Sequence, residues 1–253
     1  MKVYNFLKAY IGPACTGLAS LCSILGLVLM FINSKTACIV ALCVICFGFA
    51  ALIWGILRGI NRVILDNSEK DYKSIYTLYI YQSKDGIKST LDTYRMIQCK
   101  RLFLTDIHFN FKWTGTKMPV LSSKTQTIEN VSHNDNCNKW DEAVVKFNRP
   151  LRYNECTVMN IKSDHDDVDN TAKSWLSCKL VNPIEMITYH VMLSYKENGY
   201  HEPAVFERKK IDMDVDGDFE YIESVAFDGG NKVYSFSIVN PEPGYIYRLR
   251  WEK

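Results

Sequence analysis

Two uninterrupted apolar runs, Ile11–Ile32 and Thr36–Leu57, open the chain with only Asn33-Ser34-Lys35 between them. Each is 22 residues long, and a helix needs about 20 residues to cross the hydrocarbon core of a bilayer. No Asp or Glu occurs before Asp66, so no carboxylate would have to enter lipid. The pattern predicts a two-helix transmembrane hairpin over residues 11–62. A short segment, 1–10, precedes it, and a soluble region, 63–253, follows.

Beyond Asp66 the texture changes to short stretches rich in β-branched and aromatic residues. Ile75–Tyr81, Leu102–Trp113, Ala143–Phe147, Thr157–Ile161, Trp175–Val181 and Ile187–Tyr195 read as strands. So do Val205–Val215, Phe219–Phe227, Val233–Val239 and Tyr245–Trp251. Turn signals fall between them at Asp85-Gly86, Asn148–Pro150, Asn182-Pro183, Asn198-Gly199, Asp216-Gly217, Gly229-Gly230 and Pro241–Gly244. No stretch carries a 3.6-residue apolar period. The expected fold is therefore an all-β antiparallel sandwich or barrel, with the polar, Asn-rich segment Leu121–Asp141 as a long loop.

Charge separates the same two regions. Residues 1–62 carry Lys2, Lys8, Lys35, Arg58 and Arg62 and no acid; the remainder holds 25 basic and all 28 acidic residues, a net of −3. A near-neutral soluble region lacks the field that captures long nucleic acid. The basic residues flank the paired runs and only Lys35 sits between, which predicts both termini and the β region in the cytoplasm. A cleaved signal peptide fits poorly, since the first run is too long and a second follows at once. Nine cysteines, none in a CxxC pair, signal neither zinc nor a redox couple, and free thiols suit a reducing compartment. The pairs Ala19/Ser23 and Gly55/Gly59 lie four apart, on one helix face. They would serve either self-association into a homo-oligomer or close approach of the two helices.

Asp212, Asp214, Asp216, Asp218 and Glu223 satisfy the calcium-loop pattern D-x-D-x-D-G-x5-E. A calcium hand needs flanking helices, whereas Ile211, Met213 and Val215 alternate with acids and Asp216-Gly217 is a hairpin turn. The hairpin is the preferred reading, and no cofactor is expected. Asp164-His165-Asp166-Asp167-Val168-Asp169 reads as a solvated acidic loop. The chain has no Gly-rich phosphate loop, G-x-S-x-G or H-E-x-x-H, and its five histidines fall on different elements, so no catalytic residues are assigned.

Cations beside rings and turns point to binding instead: Tyr94-Arg95, Lys100-Arg101, Lys112-Trp113, Arg149 and Arg152. Arg forks suit phosphate and aromatic faces suit stacked bases. Arg95, Lys100, Arg101 and Trp113 are the expected ligand-binding residues.

The two runs, the Arg58/Arg62 anchor and the succession of strands from Ile75 onward resemble the two-transmembrane, β-strand-rich effector family of bacterial anti-phage signalling systems. The resemblance is architectural and covers nearly the whole chain. It implies a non-enzymatic effector in the bacterial inner membrane. Its β-domain would sense a cyclic nucleotide made by a partner nucleotidyltransferase, and its spans would oligomerise to perturb the lipid bilayer. The closing stretch Tyr234–Trp251 looks more like the end of an immunoglobulin-type sandwich. The alternative reading is a passive, membrane-tethered protein-interaction module.

Overall fold

The computed structural model describes residues 35–66, 71–133, 140–211 and 219–253, with the single positions Thr16, Ala19, Ser20, Ser23 and Gly26, all five helical. The chain divides into two compact units, Met1–Glu69 and Lys70–Lys253.

In the first unit one long helix is described, α1 (Lys35–Asp66). Its portion Ile39–Arg62 is long and apolar enough to cross a membrane. Ile39, Leu42, Phe47 and Trp54 are exposed on it, an apolar surface suited to lipid rather than water. The helix outlasts the apolar run, since long basic side chains can lie back along apolar neighbours. Arg58 does so, its guanidinium 5.2 Å from the centre of the Trp54 ring. The expected two-helix hairpin is corrected by this result. One candidate span is found among the described residues, and apart from the five positions named above the run Ile11–Ile32 lies outside them. Length and apolarity alone do not select a spanning helix, because signal segments and covered helices satisfy the same pattern. The multi-pass topology inferred from the hairpin falls with it.

The second unit is built of strands: β1 (Tyr72–Ser83), β2 (Lys88–Cys99), β3 (Phe103–Phe111), β4 (Val120–Ser122), β5 (Gln126–Ser132), β6 (Asp141–Arg152) and β7 (Cys156–Asp166). After these come β8 (Trp175–Leu180), β9 (Met186–Leu193), β10 (Ala204–Lys210), β11 (Glu220–Val225), β12 (Val233–Val239) and β13 (Tyr245–Arg250). They form three sheets, ordered β12-β9-β1-β2-β7-β4, β11-β10-β13-β8 and β3-β6-β5. The purely antiparallel expectation is also corrected, because β1 and β9 run parallel, with Tyr79 opposite Tyr189. Alternation within a strand shows which residues share a face and is silent about the direction of the neighbour.

Side chains opposite one another across a ladder project to the same side of the sheet. One face of the six-stranded sheet can therefore be followed row by row. Ile238, Ile187, Thr77, Arg95 and Met159 form one row, and Phe236, Tyr189, Tyr79, Thr93 and Ile161 the next. This face is covered by two cores. The larger joins β9, β12 and Tyr79 to the four-stranded sheet through Phe206, Tyr247 and Leu249. The smaller joins β2 and β7 to the three-stranded sheet through Ile107, Phe109, Val145 and Phe147. Aromatic packing dominates the first: Phe206, fully buried, lies 4.4 Å from Phe236 and 5.8 Å from Tyr189 between ring centres.

Three strands went unread in the sequence. β4 overlaps the start of the expected loop Leu121–Asp141 and β5 lies inside it; β5 is largely exposed, so it lacks an apolar side. β2 shows no apolar alternation because Ser89, Thr93 and Arg95 occupy inward positions. Conversely, the expected turn Asn148–Pro150 lies within β6, where the register with β3 shifts between Leu104 and Asp106. Proline is tolerated at such a bulge because no ladder donor is required there.

Candidate ligand-binding site

The two covering sheets do not join. β3 ends the three-stranded sheet, β8 ends the four-stranded one, and a cleft of about 250 Å³ opens between these edges. Its floor is the middle of the six-stranded sheet: Thr77 on β1, Thr93 and Arg95 on β2, Ser163 and His165 on β7. Phe109 and Lys112 contribute from the β3 side, and Trp175 and Lys179 from the β8 side. Among the described residues no Asp or Glu lines it.

Arg95 defines the electrostatics. Its guanidinium lies 5.8 Å from the centre of the Phe109 ring, and its Nε is buried without a hydrogen-bond partner. Among the described residues no carboxylate pairs with it. Burial works against its charge, yet its pKa is raised by Tyr79, Tyr72 and Cys178 around it. Burial pushes the Tyr79 phenol and the Cys178 thiol up, so both stay neutral at pH 7. A cation held among neutral groups at the bottom of a cleft is a docking point for an anion.

His165 is the second polar centre. Its Nε2 shares a 2.8 Å hydrogen bond with Ser163 Oγ, its Nδ1 faces Ser89 Oγ at 3.5 Å, and the Trp113 ring stacks on it at 4.3 Å. Burial lowers its pKa to about 4, only partly opposed by Asp164. The imidazole is thus neutral at physiological pH. A base so weak is poorly matched to activating Ser163, since general bases work best near the operating pH. The pair is a hydrogen-bonding floor for a ligand rather than a nucleophile with its base.

A smaller cavity of about 60 Å³ adjoins the cleft and shares Leu91, His165 and Trp175 with it. Trp113 lies in this annex, its ring held by the backbone of Gly115, where an added Cβ would fall 2.6 Å from the indole.

Of the four residues expected to bind ligand, the structure brings Arg95 and Trp113 to these adjoining cavities and leaves two elsewhere. Lys100 reaches Asn154 Oδ1 at 3.0 Å, and Arg101 is ion-paired with Asp71. Of the calcium-loop candidates, Asp212, Asp214, Asp216 and Asp218 lie outside the described residues; Glu223 is exposed on β11, opposite Phe206 of β10. The solvated-loop reading of Asp164–Asp169 is corrected. Asp164, His165 and Asp166 end β7, His165 is buried, and Asp167 is buried with Lys253 Nζ at 2.6 Å and the Thr171 and Ala172 N–H groups at 2.9 Å. Acidic neighbours masked the strand there. Thr77, Thr93, Ser163 and His165 were not singled out as binding residues. Their signal was a polar residue at every second position of a strand, which resembles a solvent face until the covering layer is known.

No family model and no curated protein matches the chain. Among solved structures it is similar to an M1 zinc metallopeptidase from Deinococcus radiodurans, with 10% identity and a TM-score of 0.36 over 72% of this chain and 42% of that one. It is also similar to native yeast LTA4 hydrolase, with 10% identity and a TM-score of 0.39 over 73% of this chain and 30% of that one. The chain spans less than half the length of either enzyme. Similarity at this level carries no argument about what the chain does.

Proposed function

We propose that the chain is a membrane-anchored receptor whose strand-built unit holds a small, ring-bearing anion in the cleft between β3 and β8, a mononucleotide being the class that suits it best. The observation that supports this most is Arg95, a half-buried cation with a buried, unpartnered Nε and, among the described residues, no carboxylate partner, on the floor of a cavity lined by aromatic rings and, among the described residues, no acid. Ligand pockets usually enclose about 300–1,000 Å³, so a cleft of about 250 Å³ favours a compact ligand over a polymer. Phosphate would take the guanidinium fork, and Phe109 or Trp175 offers a face to the base. The apolar helix α1 supplies the anchor. Service in an anti-phage signalling system, with the nucleotide made by a partner nucleotidyltransferase, is the setting the sequence resemblance implies for such a receptor.

Isothermal titration of the full chain in detergent with AMP, adenosine and inorganic phosphate tests the reading. AMP is expected to bind at least about ten-fold more tightly than either fragment, a gap of about 1.4 kcal/mol, and Arg95→Gln to abolish that preference. Adenosine binding as tightly as AMP, or an Arg95→Gln protein that binds AMP normally, would overturn it. The passive-tether alternative expects no binding at all.

A further inference from the structure

The geometry points to a second copy of this chain as the partner of the open face of the six-stranded sheet, the two sheets packing face to face about a two-fold axis along β1. This face is opposite the one that floors the cleft, so the inference stands apart from the nucleotide reading. Five strands contribute one apolar row to it: Val239 on β12, Met186 on β9, Tyr76 on β1, Met96 on β2 and Val158 on β7. None of the five belongs to either core, and Val239 and Val158 are 66% and 49% exposed. A contiguous apolar stripe on an uncovered sheet face marks an interaction surface.

The order of the row selects the partner. Val, Met, Tyr, Met, Val reads the same from either edge of the sheet. A two-fold axis along β1 therefore sets Val239 on Val158 of the second copy, Met186 on its Met96, and Tyr76 on Tyr76, an isologous apolar contact. Four residues further along β1, Ile80 lies between His190 and Asp92. The same axis sets His190 opposite Asp92 of the second copy, and Asp92 opposite its His190, so the charges complement one another. Lys73 and Lys162, also on this face, are held by Glu185 at 2.9 Å and Asp164 at 2.7 Å. Neither brings a bare like charge to the axis, and neither is left for a lipid headgroup. An axis along β1 also leaves the starts of both β1 strands at one end. Two copies anchored in one bilayer by α1 need that arrangement, because β1 follows α1 by only six residues. An axis across the strands would put the two starts at opposite ends.

Sedimentation equilibrium of the full chain in density-matched detergent tests this. The unaltered protein is expected to be a dimer at micromolar concentration, and Tyr76→Glu and Met96→Glu each to weaken the dimer at least about ten-fold. A cooperative melt in both variants shows that the sheet still forms. His190→Asp, which sets carboxylate against carboxylate across the axis, is expected to weaken the dimer several-fold. Adding Asp92→His exchanges the two roles and should recover most of that loss. A monomeric unaltered protein would leave the face to lipid or to a foreign chain and overturn the inference. A dimer indifferent to both glutamates, as one held by α1 alone would be, overturns it too, and so does a double exchange that is no better than His190→Asp.

Discussion

The two halves of one sheet face make an instructive pair. Toward β12 and β9 the face reads Tyr234, Phe236, Ile187, Tyr189 and Val191, packed against Phe206 and Tyr247 of the covering sheet. On β2 and β7 the same face packs Ile97, Met159 and Ile161 into the second core but also carries Thr93, Arg95, Ser163 and His165 beneath a gap between sheets. Backbone pairing continues across both, so the sheet itself does not require the polar residues. Apolar side chains in the middle would draw β3 and β8 together and lower the free energy of the fold. The difference separates the part of the sheet that is packed from the part left uncovered.

Truncating the apolar half should have the largest effect. Phe206→Ala removes a fully buried ring from between Phe236 and Tyr247 and is expected to cost about 3–5 kcal/mol in denaturant unfolding of the full chain. A loss under about 1 kcal/mol would erase the contrast. The polar half is expected to respond to pH instead. His165 carries a pKa of about 4 when folded against 6.5 when free, so the unfolded chain takes up the proton first as pH falls. Stability present above pH 6.5 is then lost as pH drops through 4, by about 3 kcal/mol at about 1.4 kcal/mol per unit. His165→Gln should flatten that slope in melts recorded between pH 7 and 4; an unchanged slope would place the titration elsewhere. The smallest effect belongs to Thr93→Val, which replaces a hydroxyl on the cleft floor with a methyl. Stability should stay within about 1 kcal/mol, whereas AMP affinity should fall several-fold if the hydroxyl meets the ligand.

The same contrast decides what could be read from the chain beforehand. Ile187–Tyr195 and Val233–Val239 announce themselves because every inward position is apolar, and both are strands within two residues of the expected bounds. β2, Lys88-Ser-Thr-Leu-Asp-Thr-Tyr-Arg-Met-Ile-Gln-Cys99, was silent for the reason that makes it useful: Ser89, Thr93 and Arg95 point inward. Arg95 was nonetheless named beside Tyr94 as a cation next to a ring. The ring that meets it is Phe109, brought over by β3, a contact that no local pattern encodes. Lys100 and Arg101 satisfied the same local rule and are taken up by Asn154 and Asp71. Adjacency in sequence identified the residue types. Only the pairing of β2 with β7, and the missing pairing of β3 with β8, identified the place.

Melting of the Arg95→Met protein with and without AMP tests the central claim most directly. A buried cation without a counter-ion destabilises a fold, so its replacement by a flexible apolar side chain should raise the midpoint in the absence of ligand. A gain of about 1 kcal/mol corresponds to roughly 2–4 °C for a unit of this size. AMP should raise the midpoint of the unaltered protein and leave that of Arg95→Met where it stands. A variant that melts lower than the original, or one that AMP still stabilises, would contradict the account.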